Sequence, residues 1–235
     1  MKIGFFSDPH AARVERTCGN RRPELSLGKI REALGFFVEE KVDFCVCLGD
    51  LVDISPTHEE EIACLQEIME VVKESGLKFY FVPGNHDYTS FSGEELVDLI
   101  GQPLPPYCFE AGEIRFIALD GNFRADMRRF DVAGTVWTDA WLPPEQVEFL
   151  KEALDSSDKP CVILVHENLD SEVDGHHILH NADEVRKILA DSGKVRMVVQ
   201  GHFHEGASHV LDGIPYVTLP AMCEGEENAY RVIEL

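Results

Sequence analysis

Long hydrophobic runs are missing from this sequence of 235 residues. No stretch approaches the ~20 apolar residues that a membrane-crossing helix needs. The opening run Ile3–Phe6 meets Ser7 and Asp8 at once, short of the about 7–15 apolar residues of a signal peptide. A soluble, cytoplasmic protein is expected. Positive charge is scarce too: 21 Lys and Arg stand against 43 Asp and Glu, for a net charge of −22. Such a surface repels both the phosphate track of a long nucleic acid and an anionic membrane, so neither is expected as a partner. The seven cysteines are odd in number and lack framework spacing; Cys45 and Cys47 lie inside an apolar run. They read as reduced thiols rather than as a disulfide scaffold. Linkers, repeats and low-complexity segments are absent as well. One domain over residues 1–235 is expected, long enough to bury about 70–75% of its unfolded surface.

What is present is an alternation. Short β-branched and aromatic runs occur at Ile3–Phe6, Phe44–Leu48, Phe79–Val82, Phe116–Leu119, Val162–Val165, Met197–Val199, Tyr216–Leu219 and Tyr230–Ile233. They are too short for helices and are mostly bounded by Gly, Pro or Asp, so they predict strands, buried on both faces. Between them lie amphipathic stretches. Leu27, Ile30, Leu34, Phe37 and Val38 share a helical face, as do Ile62, Leu65, Met69 and Val72. Thr57 with Glu60 and Ser92 with Glu95 are capping-box starts, and Gly76 and Gly101 are matching stops. A further helix follows Pro143-Pro144, and another is expected to open at Asn181 and close near Gly193. The first half reads βαβαβα, which implies a parallel sheet with right-handed crossovers. Later strands follow closely, with Asp212-Gly213 as a hairpin turn. A mixed α/β sandwich with helices outside is the expected architecture.

Polar residues recur where strands end. Asp8 and His10 follow the first run, Asp50 and Asp53 the second, and Asn85, His86 and Asp87 the third; His166 then follows Val162–Val165, and His202 and His204 follow Met197–Val199. Ligands of open α/β sheets bind at the carboxyl ends of strands. Each residue alone has an ordinary explanation as a cap, turn or core histidine. Five strand ends supplying only oxygen and nitrogen donors do not.

Asp-x-His, Gly-Asp-x-x-Asp, Gly-Asn-His-Asp, a single His and Gly-His-x-His together resemble the calcineurin-like metallophosphoesterases. The motifs run from Asp8 to His204. The resemblance implies a four-layer sandwich of two mixed β-sheets flanked by helices. It also implies a phosphohydrolase with two divalent metal ions, in which a metal-bridging hydroxide attacks phosphorus. By motif position, one ion takes Asp8, His10, Asp50 and His204. The second takes Asp50, Asn85, His166 and His202, with Asp50 shared. His86 is implied as general acid, oriented by Asp53; Asp87 reads as a supporting or turn residue. Carboxylate, amide and imidazole donors suit Mn, Fe, Zn, Co or Ni without choosing among them. The layout is similar to small bacterial members, some acting on cyclic nucleotides. Phosphodiesters are favoured over phosphomonoesters. A nuclease, or a slow metal-binding sensor or scaffold of the same fold, is the alternative.

Two basic islands interrupt the acidic chain: Arg13, Arg16, Arg21 and Arg22, then Arg124, Arg128 and Arg129. Arginine forks onto phosphate, so Arg21, Arg22 and Arg124 are candidate contacts for a small anionic phosphate ester, a nucleotide among the options. The aperiodic stretch 121–142 holds both tryptophans, and its length suggests a loop or lid near the site. Trp137 is its candidate substrate contact. His176, His177 and His180 read as rim or surface residues, and Glu224, Glu226 and Glu227 as a solvated turn. The oligomeric state stays open between monomer and homodimer.

Overall fold

A computed structural model describes residues 1–15, 18–132 and 136–235. Arg16 and the centre of the 121–142 stretch lie outside the described residues. Among those described, no helix is long and apolar enough to cross a membrane.

Among the described residues, ten strands form two sheets. Strands β1 (Lys2–Phe6), β2 (Phe44–Cys47), β3 (Phe79–Phe81) and β10 (Arg231–Glu234) make the first, in the order β10-β1-β2-β3. Strands β4 (Tyr107–Ala111), β5 (Ile114–Ala118), β6 (Cys161–Leu164), β7 (Val195–Gln200), β8 (Ala207–Leu211) and β9 (Ile214–Thr218) make the second, in the order β4-β5-β6-β7-β9-β8. Both are mixed. β1, β2 and β3 are parallel, while β10 joins β1 antiparallel. The parallel centre β5-β6-β7-β9 carries antiparallel edges at β4 and β8. Two mixed sheets flanked by helices is the architecture the motifs imply.

Alternation along the strands divides the core in two. Ile3, Phe5, Phe44 and Val46 from one sheet meet Phe116, Ala118, Val162 and Leu164 from the other. Aromatic rings fill that interface: Phe44 and Phe116 stand edge to face at 5.3 Å, and Phe109 stacks on Phe116 at 4.9 Å. Burying one such side chain contributes about 1.5–3 kcal/mol. The residues between point outward, where Phe6, Cys45, Cys47, Ile117 and Ile163 pack beneath helices. α1 (Ser26–Glu39) and α2 (His58–Ser75) supply Leu34, Phe37, Leu65 and Ile68 to that layer. α5 (Pro144–Asp155) and α6 (Ala182–Ser192) supply Leu150, Val185 and Leu189.

The capping boxes form as the spacing predicts. Thr57 and Glu60 open α2, and Ser92 and Glu95 open α4 (Gly93–Ile100). Gly76, Gly101 and Gly193 close their helices in the left-handed region. Three local features differ from expectation. β4 is a half-exposed edge strand, so its alternating pattern lacks the continuous hydrophobicity of the central strands. The Asn85–Ser90 segment is itself a short helix, α3. Asn181 does not cap α6; its amide instead bonds the N–H and C=O of Leu142 across 39 residues.

His58 ties the start of α2 to α4. Its Nδ1 meets Glu61 Oε2 and its Nε2 meets Glu95 Oε1, each at 3.0 Å. Glu61 and Glu95 together raise the imidazole pKa. Glu95 is pulled down to about 2, first by Ser92 and then by His58. A raised imidazole pKa gives stability that is complete below the unfolded value of 6.5 and fades as pH rises through the folded value. The lowered carboxyl gives stability that fades as pH falls below its unfolded value toward about 2. His58→Ala should therefore cost most between about pH 4.5 and 6.5, by roughly 0.5 kcal/mol for so exposed a cluster, and less at pH 8. Urea titrations at several pH values measure it; a pH-independent cost would show that charge contributes nothing.

Candidate metal centre

Six strand ends converge on one rim of the sandwich. β1 runs into Asp8 and His10, β2 into Asp50 and Asp53, and β3 into Asn85 and His86. From the second sheet, β5 leads to Asp120, β6 to His166, and β7 to His202 and His204. Asp8, His10, Asp50 and His202 all hold left-handed backbone, with φ between 46° and 66°. Such strain collects where geometry is dictated by more than local preference.

Asp50 is the centre. Its Oδ1 accepts the His86 N–H at 2.8 Å, while Oδ2 lies 3.3 Å from His10 Nε2 and 3.5 Å from His166 Nε2. One carboxylate oxygen thus stands between imidazoles from different sheets. Close approach of backbone makes this possible. A Cβ at Gly49 would lie 2.5 Å from both Gly84 N and His166 Nδ1, and one at Gly84 would overlap Asp50 Oδ1.

Three of the imidazoles, those of His10, His166 and His204, have Nδ1 engaged so that Nε2 is left free. His166 Nδ1–H donates to the Leu48 carbonyl at 2.5 Å, and His204 Nδ1–H to Glu224 Oε1 at 2.8 Å. His10 Nδ1 faces Asp53 Oδ2 at 3.4 Å. Pinning Nδ1 leaves Nε2 as a lone pair, the arrangement of metal-ligating histidines. Burial pulls His10 down to about 4 and His202 well below the usual imidazole range, so both are neutral. Burial alone would raise Asp50, but His166, His86 and His10 hold it well below the usual carboxylate range.

Five buried side-chain polar atoms here have no hydrogen-bond partner: Asp8 Oδ1, His10 Nε2, Asn85 Oδ1, His166 Nε2 and His202 Nε2. Each would ordinarily cost about 1–3 kcal/mol. Five in one place is the signature of a site built for cations, and the donor set fits divalent metal. Among the described residues, three groupings place candidate ligand atoms within 4.8 Å of one another: Asp50 with His166 and His202, His10 with Asp50 and His86, and His10 with His204 and Cys223. Sequence reading missed Cys223. Burial raises its thiol, which disfavours the thiolate a metal would need.

The expected acid and its partner meet as well. Asp53 Oδ1 accepts from His86 Nδ1 at 3.0 Å, and Asp53 Oδ2 accepts from Arg21 Nη1 at 3.2 Å. Burial opposes protonation of His86, but Asp50 and Asp53 outweigh it and raise its pKa; the Arg21 charge works against them. Asp87 braces the whole turn: its carboxylate accepts N–H bonds from Asp50, Leu51 and Gly84 at 2.8–2.9 Å.

A cavity of about 540 Å³ opens over these residues, lined among others by Arg21, His86, Trp137, His177, His202 and Glu224. Trp137 and His177 stand 5.5 and 5.1 Å from the His202 ring, as an aromatic wall. Arg22 and Arg124 do not line it. Arg22 pairs with Glu24 and Glu226, and Arg124 with Asp131. His180 stacks on Trp141 instead. Glu224, expected in a solvated turn, holds His204; only the long-range return of the chain reveals that. A larger cavity, of about 690 Å³ beside Phe91 and Phe130, contains none of the candidate ligands.

The profile of the calcineurin-like phosphoesterases matches residues 1–206, and the chain belongs to that family. It is 26% identical over 206 residues to a probable cyclic nucleotide phosphodiesterase of Psychrobacter arcticus, covering 83% of this chain and 67% of that protein. It is 24% identical over 233 residues to the 3′,5′-cyclic adenosine monophosphate phosphodiesterase CpdA of Haemophilus influenzae, covering 95% and 77%. A dimetal phosphatase from Danio rerio superposes with a TM-score of 0.87 at 20% identity, covering 100% of this chain and 92% of that one. That likeness establishes the fold.

Asp87→Asn places an NH₂ group against backbone N–H donors. The expected cost is roughly 2–3 kcal/mol in chemical denaturation. Metal affinity should fall about 10–100-fold in a competition titration, because Asp50 loses its support. Unchanged affinity would mean that Asp50 is positioned without Asp87.

Proposed function

We propose that this chain is a divalent-metal-dependent phosphohydrolase of small phosphate esters, with phosphodiesters preferred to monoesters. The five partnerless polar atoms converging on Asp50 carry the reading. The preference for diesters is supported by the names of the two bacterial relatives, one a probable cyclic nucleotide phosphodiesterase and the other a 3′,5′-cyclic adenosine monophosphate phosphodiesterase.

One cation would be held by Asp8, His10, Asp50 and His204, and a second by Asp50, Asn85, His166 and His202. Cations held there would neutralise charge on the phosphoryl oxygens and acidify water enough to supply a nucleophile near neutral pH. The chain's own residues do the rest. Asp50, between His10 and His166, offers one carboxylate to both half-sites. Leu48 and Glu224 keep the His166 and His204 rings in the ligating tautomer. His86, its Nδ1 committed to Asp53, presents Nε2 to the cavity and gives its proton to the departing oxygen. Trp137 and His177 offer an apolar face on the other side, suited to a flat ring such as a base.

The test compares bis-p-nitrophenyl phosphate with p-nitrophenyl phosphate, using chelator-stripped protein with and without Mn²⁺, Fe²⁺, Zn²⁺, Co²⁺ or Ni²⁺. Turnover should require metal and favour the diester. Asp50→Asn should lose both metal and activity. His86→Ala should retain metal yet lose about 10²–10⁴-fold in rate, most with poor leaving groups. Monoester preference would redirect the substrate search. Metal binding without turnover of either ester would sink the enzymatic reading, and metal loss in His86→Ala would sink the role given to His86.

A further inference from the structure

Arg21 is the one arginine of the two basic islands that lines the cavity, among the residues described. Its backbone is fixed. Arg21 N–H donates to the Cys18 carbonyl, Arg22 N–H donates to the Cys223 carbonyl, and Arg21 forms an isolated β-bridge with Glu224. The buried Lys29 ammonium anchors that returning segment through the carbonyls of Met222, Glu224 and Gly225. The side chain is 15% exposed. One nitrogen, Nη1, makes three approaches: Asp53 Oδ2 at 3.2 Å, His10 Nδ1 at 3.5 Å and His86 Nε2 at 3.5 Å.

Burial opposes the Arg21 charge, but the neighbouring Cys18, Asp50 and Asp53 outweigh it and raise the guanidinium pKa. Asp50 and Asp53 also serve His86 and His10, and any cation held in the cluster would draw on Asp50 as well. A permanent cation that shares its carboxylates in this way gains a partner of its own when an anion arrives. The geometry says which oxygen that is. His86 Nδ1 is taken by Asp53, so Nε2 is the ring nitrogen that faces the cavity. An oxygen receiving a proton from Nε2 lies about 3 Å from it. Arg21 Nη1 is 3.5 Å from the same nitrogen, so one oxygen is within reach of both.

We propose that Arg21 acts on the departing oxygen together with His86, as a second donor that stabilises its charge while the ester bond breaks. The proposal rests on the phosphohydrolase reading. As the P–O bond to the departing group breaks, that oxygen keeps the bonding electron pair and takes a proton from His86 Nε2. Arg21 keeps its own protons and lends a charge-assisted hydrogen bond. In the resting protein the same guanidinium lies against Nε2 and Asp53, so the pair is already assembled when substrate enters.

The experiment uses aryl phosphodiesters whose departing phenols span several pKa units, with wild type, Arg21→Gln, Arg21→Lys, His86→Ala and the Arg21→Gln/His86→Ala double variant. Metal content is measured on each protein. Arg21→Gln should retain its metal and lose kcat far more than KM. The loss should reach about 10²-fold with the poorest leaving group and shrink toward unity with p-nitrophenolate. Arg21→Lys should recover part of the rate and keep the same trend; it also carries the test should Arg21→Gln fold poorly. The double variant should lose much less than the product of the single losses, because both groups act on one oxygen. An equal loss across the series, carried by KM, would make Arg21 a clamp on the phosphoryl oxygens and overturn the proposal. So would multiplicative losses, or metal lost from both Arg21 variants. Wild-type protein inert toward every ester would instead refute the phosphohydrolase reading on which the proposal stands.

Discussion

A buried carboxylate must find compensation, and at Asp50 that compensation comes from both sheets at once. Oδ1 takes a backbone N–H from the segment after β3, and Oδ2 lies between an imidazole from the first sheet and one from the second. Neither sheet alone could build the site. The requirement explains the glycines at 49 and 84, which let three chain segments approach more closely than any side chain would permit. It also explains the carboxylate of Asp87, which gathers the N–H groups of two turns into one rigid unit. A packed two-sheet core behind the rim keeps those turns in register.

Much of this was legible in the sequence because it is local. The central strands showed as apolar runs, and the helix ends as capping boxes and left-handed glycines. The candidate metal ligands lay at the ends of five strands, β1, β2, β3, β6 and β7, where an α/β sheet gathers its ligands. What stayed hidden depends on contacts between distant residues. Glu224 looks like one acid in an acidic turn until the chain folds back and sets it against His204. Arg21 and Arg22 are neighbours with opposite fates, one in the cavity and one paired with Glu24 and Glu226, and composition cannot separate them. Asn181 has the residue type and spacing of a cap, yet Leu142 supplies a better pair of partners. Edge strand β4 was obscured because half its side chains face water.

The charge distribution bears on how an acidic protein would receive the anionic substrate proposed for it. Most of the 43 acids are spread over the exterior, where several basic residues are engaged by them. Arg13 pairs with Glu67, Arg124 with Asp131 and Arg128 with Asp126. Arg21 is an exception in placement, though not in having a carboxylate beside it. Beyond about 8–10 Å this surface offers an anion little attraction at physiological salt. Capture of the proposed phosphate ester would therefore depend on short-range groups inside the cavity.

The left-handed backbone at Asp8, His10, Asp50 and His202 also governs how such a site can drift over generations. Most residues resist that conformation, whereas asparagine accepts it more readily than nearly any other side-chain-bearing residue. Asparagine also keeps an oxygen donor of similar reach while giving up the carboxylate's charge. At Asp8 and Asp50 the path of least conformational resistance is therefore a neutral amide, which leaves the turns standing and weakens the hold on a cation. A lineage under relaxed selection could shed its chemistry in that way while retaining the fold, so loss of function would be easier to reach than loss of shape.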